Sequence, residues 1–242
     1  MVKRHRRVFL VLGVLIFSAG VFLGTALFGI SVWGDLEGTM FDVTLRGDAT
    51  LRTLRCPLMM TTAETGTVTA TFTNPFERPT EFTIRTHISR GYVTLMREIF
   101  TKLPLDPGEK QTLELTVTPD DAAYGRLVLV NMRLYPKYPY PARTGTCGIL
   151  VINESNLTGN QVFAFTLVVS LLSMVVGLSL WVTGDRPLSG LGLDVTRAMS
   201  ALIVCVLAGT IVGLFGWWVF GVIIFMITVL LIGTIIGFFM KT

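Results

Sequence analysis

The chain has 242 residues, is 51% hydrophobic and has a mean hydropathy of +0.65, which is too apolar for an ordinary water-soluble domain. The formal net charge of +4 is not a nucleic-acid footprint, because its excess is local. Lys3, Arg4, Arg6 and Arg7 crowd the N-terminal tail, whereas residues 34–161 hold 13 Lys and Arg against 14 Asp and Glu.

Residues 1–7 read as a basic cytoplasmic tail that contacts anionic lipid. Residues 8–33 are uncharged and form the first predicted transmembrane helix. The run exceeds the ~7–15 residues of a secretory signal core, so it reads as a signal anchor rather than a cleaved signal. The positive-inside rule then puts the N-terminus in the cytoplasm and residues 34–161 outside it. Residues 162–183 return the chain as helix two, and the charge-balanced loop 184–197 is cytoplasmic. Residues 198–240 are 43 consecutive uncharged positions, about twice the ~20 that one span requires. Glycine near 213–216 divides them into helices 198–215 and 217–240; a single bent re-entrant pair is the alternative. Trp33, Trp181, Trp217 and Trp218 fall near span ends, where indole favours the interface. The expected localisation is the cell membrane, multi-pass, with both termini cytoplasmic.

Residues 34–161 have a different character. Phe41, Val43 and Leu45 alternate with polar residues, as do Val68, Ala70 and Phe72, then Phe82, Ile84 and Ile88, then Leu113, Leu115 and Val117. Period-two alternation is the mark of a strand with one buried face. Residues 126–135 and 144–152 are more continuously apolar and read as central strands. Turn signals separate the strands at Arg46-Gly47-Asp48, Asn74-Pro75, Pro107-Gly108 and Tyr124-Gly125. Seven or eight short strands predict a β-sandwich. The expected fold is therefore α plus β: four transmembrane helices with one extracytoplasmic all-β sandwich inserted between the first two. Cys56 and Cys147, both on the external side, are expected to form a disulfide. Cys205, inside the third span, reads as a small apolar filler.

The runs Val68-Thr-Ala-Thr-Phe-Thr-Asn74-Pro75, Leu103-Pro-Leu-Asp-Pro107-Gly108-Glu109 and Leu113-Glu-Leu-Thr-Val117 resemble immunoglobulin-like sandwich domains of bacterial envelope proteins. That resemblance implies a fold and leaves the role open, since such domains host many functions.

Chemistry-bearing residues are sparse. His5 lies in the tail, and His87 is placed on the polar side of a strand, without a nucleophile elbow. Asp120-Asp121 reads as a solvated turn. No catalytic residue, cofactor or metal ligand is assigned. The spans hold no ionisable residue at these boundaries, which disfavours transport by this chain alone. Three small-residue pairs, Gly20/Gly24, Gly209/Gly213 and Gly233/Gly237, predict close helix packing, within the chain or with other chains. Tyr135, Tyr138 and Tyr140 alternate with proline in a stiff connector, predicted at the membrane-distal tip as a partner contact. A plain connector whose rings cover the sandwich end is the other reading. Asn153-Glu-Ser and Asn156-Leu-Thr match the glycosylation pattern within ten residues of the second span.

These features lead to the expectation of a non-enzymatic membrane subunit whose partners are other integral membrane subunits and the bilayer. A pore component shared with other chains, and an envelope enzyme or metal-binding protein, are the competing readings.

Overall fold

The computed structural model describes residues 2–45, 47–135, 137–154, 156–184 and 190–240. It divides into two compact units, residues 1–32 with 163–242, and residues 33–162. Four helices are long and apolar enough to cross a membrane, which marks the chain as a membrane protein. They are α1 (Val2–Met40), α2 (Gly159–Gly184), α3 (Leu191–Leu214) and α4 (Trp218–Met240). Of the sequence expectations, Arg46, Ser155, Lys241 and the 185–189 stretch lie outside the described residues.

Each helix boundary differs from its apolar run for a local reason. α1 continues seven residues past Trp33 and carries Asp35 and Glu37. The helical backbone therefore persists where the hydropathy signal ends. α3 starts before the uncharged run, and Asp194 and Arg197 face each other one turn apart at 3.6 Å. Between α3 and α4, Gly216 takes φ +67°. Its N–H donates to Gly213 O, and Trp217 N–H donates to Val212 O. This glycine-capped helix stop satisfies carbonyls that the helix end would otherwise orphan.

In the helical unit, Phe17, Phe28, Met174, Met199, Leu202 and Val206 form the buried core. Trp181 is buried there too, at 7% exposure. The reason is glycine: Gly13 lies against the backbone of Trp181 and Gly177, so α1 and α2 approach closely enough to enclose the indole. The Ser170 hydroxyl donates to Gly20 O at 2.8 Å across the same seam.

The second unit is a two-sheet β-sandwich. Its strands are β1 (Ala49–Thr50), β2 (Leu54–Arg55), β3 (Met59–Thr61), β4 (Gly66–Thr73), β5 (Thr80–Arg90), β6 (Tyr92–Leu105), β7 (Lys110–Val117), β8 (Leu127–Leu134) and β9 (Arg143–Ile152). One sheet runs β1-β9-β8-β5-β6 with β3 also paired to β9; the other runs β2-β4-β7. Pairing is antiparallel except that β1 and β3 run parallel to β9. Val68, Ala70, Ile84, Val117, Val130 and Ile149 are among the residues of the shared core.

Two expectations are corrected here, and one strand is added. Residues 41–45 are not a strand: Asp42 has φ +46° and Val43–Leu45 form a 3-10 turn. Phe41 and Leu45 are buried while Val43 is exposed, so the apolar spacing serves a turn of helix rather than a pleat. The longest strand, β6, escaped notice because its alternation is weak. Met96 and Phe100 face outward beside Glu98 and Lys102, while Arg97 and Thr101 face inward. Asp121 is not solvated. It is buried, accepts from Thr118 N–H and pairs with Arg97 at 2.9 Å.

Candidate functional site

The end of the sandwich that carries the Tyr–Pro connector is assembled by one asparagine. The Asn74 amide donates to Arg78 O and Leu105 O, its carbonyl side-chain oxygen accepts from Phe76 N–H, and its backbone oxygen accepts from Gly108 N–H. The turns 74–79 and 106–109 are thereby held at one end. The connector 135–142 between β8 and β9 joins them, since Tyr140 stacks edge-on against Phe76 with centroids 5.1 Å apart.

The three tyrosines occupy different environments. Tyr135 is half-buried: its N–H donates to Thr83 O, and its ring lies under the Arg133 guanidinium at 5.2 Å. Tyr140 is anchored by Phe76. Tyr138, beside the cis Tyr138–Pro139 bond, is 93% exposed. Two tyrosines are thus structural supports, and the third is free to touch another molecule.

A polar network lies on the outer face of the larger sheet. His87, on β5, is 3% exposed, not on a solvated face, because the 41–45 segment covers it. Its Nδ1 faces the Asp42 carboxylate, and its Nε2 lies 3.1 Å from Glu98 Oε1. Glu98 also accepts from Arg85 Nε, and Arg85 sits over Phe100 at 5.2 Å. Asn131 ties the segment down by donating to Phe41 O and Asp42 O. With Asp42 on one ring nitrogen and Glu98 on the other, His87 is a clamp between the 41–45 segment and β6.

Burial raises the Asp42 carboxyl, but hydrogen bonds from Thr44 and His87 outweigh it and hold the group below its ordinary value of 3.8. Hydrogen bonds from His87, then Arg85, lower Glu98 as well. Depressed carboxylates contribute stability above their unfolded values and lose it as pH falls through the folded ones. Acidification below about 4 should therefore loosen the 41–45 segment. Asp42→Asn should flatten that part of the profile, as measured by the pH dependence of amide exchange at Thr44; an unchanged profile would refute the clamp.

The Cys56–Cys147 disulfide is formed, with Cα atoms 6.5 Å apart. Beside it lies an open cleft of about 410 Å³ lined by Arg55, Met59, Glu64, Thr67 and Thr69. Glu64 Oε1 accepts from Thr61 N–H and Gly159 N–H, so this carboxylate fastens the start of α2 to the sandwich.

The small-residue pairs divide sharply. A Cβ on Gly20 would come within 2.7 Å of Ser170 O, and one on Gly24 within 2.6 Å of Ser170 Oγ. On Gly209 it would meet the Phe28 ring at 2.9 Å, and on Gly213 the Ser31 hydroxyl at 2.8 Å. On Gly233 and Gly237 it would meet nothing within 4 Å among the described residues. Sequence reading missed Gly13 and Gly177, which face each other across α1 and α2. Their spacings to Gly20 and Ser170 are seven residues rather than four, which is the signal that would have found them.

No protein-family model matches the chain, and no curated protein matches it. Among solved structures, the CARDB domain of a Pyrococcus furiosus protein in complex with di-metal ions aligns at 13% identity and TM-score 0.33. The alignment covers 46% of this chain and 97% of that one. A cycloisomaltooligosaccharide glucanotransferase of Paenibacillus aligns at 12% identity and TM-score 0.33, over 45% of this chain and 15% of that one. A β-glucosidase of Listeria innocua aligns at 15% identity and TM-score 0.30, over 42% and 15%. The chain spans about 15% of those two enzymes' lengths. The likenesses are confined to fold level and carry no argument about function.

Proposed function

We propose that the chain is a non-enzymatic integral membrane subunit of a larger complex, docking through its helices and touching external protein with its sandwich. The observation that carries this reading is the contrast between glycine pairs. Gly20/Gly24 and Gly209/Gly213 are filled by other helices of this chain, whereas among the described residues nothing fills Gly233/Gly237 on α4. α4 is also the least covered of the four helices, with 11% of its apolar window buried. Open small residues on a lipid-facing helix permit the close backbone approach by which membrane helices associate. In this reading the N-terminus and the 184–197 loop are cytoplasmic, α1 is a signal anchor in the cell membrane, and the immunoglobulin-like sandwich is extracytoplasmic. Tyr138 then offers a large, rigid, exposed ring to a protein partner at little entropic cost.

The test is Gly233→Leu with Gly237→Leu. Chemical crosslinking in native membranes followed by mild solubilisation should recover neighbouring chains with the natural sequence and lose them with the double variant, while the disulfide still forms. Recovery of free monomer alone from the natural sequence would overturn the proposal.

A further inference from the structure

The end of the sandwich opposite Tyr138 carries a second aromatic group. β5 and β6 pair from Thr80↔Leu105 at one end to Arg90↔Tyr92 at the other, a separation of about 30 Å at ~3.4 Å per residue. Tyr92 and Tyr124 stack edge to face with centroids 5.7 Å apart, and they are 57% and 64% exposed. Leu95 and Met96 are exposed beside them on the same strand.

The turn that presents Tyr124 is unusual. Tyr124 has φ +52° and Gly125 φ +64°. An aromatic residue seldom adopts the left-handed region, and the surroundings hold it there. Tyr124 N–H donates to Gly91 O, and Ala123 bridges Leu127. Phe41, Ala123 and Leu129 form a small buried core beneath. A supported, strained conformation that turns an aromatic ring toward solvent points to a surface feature with a task.

Charge and tether identify the task. Arg90 and Arg126, both exposed, flank the pair, and neither forms an ion pair among the described residues. Asp121 is engaged by Arg97 and Thr118, which leaves Asp120 exposed in the adjoining turn. The chain leaves β9 at this end: Leu127 pairs with Leu150, Ile152 ends the strand, and α2 begins at Gly159. Six connecting residues, at most about 25 Å of chain, separate the end of this strand from the start of α2.

We propose that Tyr92, Tyr124, Leu95 and Met96, with Arg90 and Arg126, form a platform that rests on the headgroup layer of the outer leaflet and prefers anionic phospholipid. Tyrosine rings favour that layer because one end is apolar and the other hydrogen-bonds, and arginine pairs with phosphate. This rests on the membrane reading above.

The test uses the full chain with Cys205→Ala in lipid nanodiscs. Single cysteines at Tyr92→Cys, Leu95→Cys, Tyr138→Cys and Leu230→Cys carry an environment-sensitive fluorophore; headgroup spin-labelled lipid is the quencher for the three sandwich positions, and lipid spin-labelled deep in its acyl chain is the quencher for Leu230→Cys. Tyr92→Cys and Leu95→Cys should be quenched and Tyr138→Cys should not. Arg90→Gln with Arg126→Gln should shift the docked fraction by roughly fivefold per arginine in phosphatidylglycerol discs, and leave it unchanged in phosphatidylcholine. Quenching at Leu230→Cys reports insertion of α4. If Leu230→Cys is quenched while Tyr92→Cys and Leu95→Cys match Tyr138→Cys, the platform is refuted and the membrane reading survives. If Leu230→Cys is not quenched, the membrane reading itself fails.

Discussion

Cys56→Ser combined with Cys147→Ser should destabilise the sandwich by about 4–5 kcal/mol in the chain-entropy model. The bond closes a loop of sequence separation 91, so the unfolded chain gains much freedom when it is lost. It also acts locally, because Cys147 lies on β9 in the larger sheet and Cys56 directly follows β2 in the smaller one. Releasing it removes a covalent tie between the two layers. Denaturant unfolding of the full chain in detergent, followed by near-ultraviolet circular dichroism, measures the loss. A change under about 1 kcal/mol would place the bond among those with little effect. Free thiols at both positions in native membranes would contradict an external location for the sandwich, because oxidising compartments favour the pair.

Gly177→Val should disrupt the helical unit by about 1–3 kcal/mol or more, the usual range for overpacking. The added carbon would stand 2.5 Å from Phe17 N and 2.7 Å from Gly13 O. Both are backbone atoms, so no side chain can rotate aside and the helices must part. Parting them opens the seam where Phe17, Met174 and Trp181 are buried. Gly233→Val is the internal comparison: its new carbon meets nothing within 4 Å, and surface changes of that kind usually stay within about 0.5 kcal/mol. Thermal unfolding of both variants in the same detergent decides the matter. Equal effects would show that α1 and α2 do not pack through glycine.

Much of the architecture was legible. The apolar runs found all four helices, since hydrocarbon-length stretches without charge have few other uses. Period-two alternation found β4, β5 and β7, continuous apolar runs found β8 and β9, and the turn signal at Pro107-Gly108 coincides with φ +72° at Gly108. The expected cysteine pair is bonded. Illegible parts share a cause: their pattern is set by neighbours distant in sequence. β6 reads poorly because it sits at the edge of its sheet, where an outward face tolerates Phe100 beside Glu98. His87 reads as exposed because nothing local announces that residues 41–45, more than 40 positions earlier, fold over it. Asp121 reads as solvated because Arg97 comes from another strand.

The amino-acid order alone determined which segments avoid water and which are half-buried, because hydropathy and periodicity are properties of consecutive residues. Tertiary structure decided how the glycines divide, with Gly20, Gly24, Gly209 and Gly213 closed by Ser170, Phe28 and Ser31 and with Gly233 and Gly237 left open. It also decided which tyrosines are supports and which are free. A glycine or a tyrosine looks the same in sequence whether its neighbour is another helix, another ring or empty space. Only the folded chain brings remote atoms within contact distance, and the contact, not the residue type, sets the role.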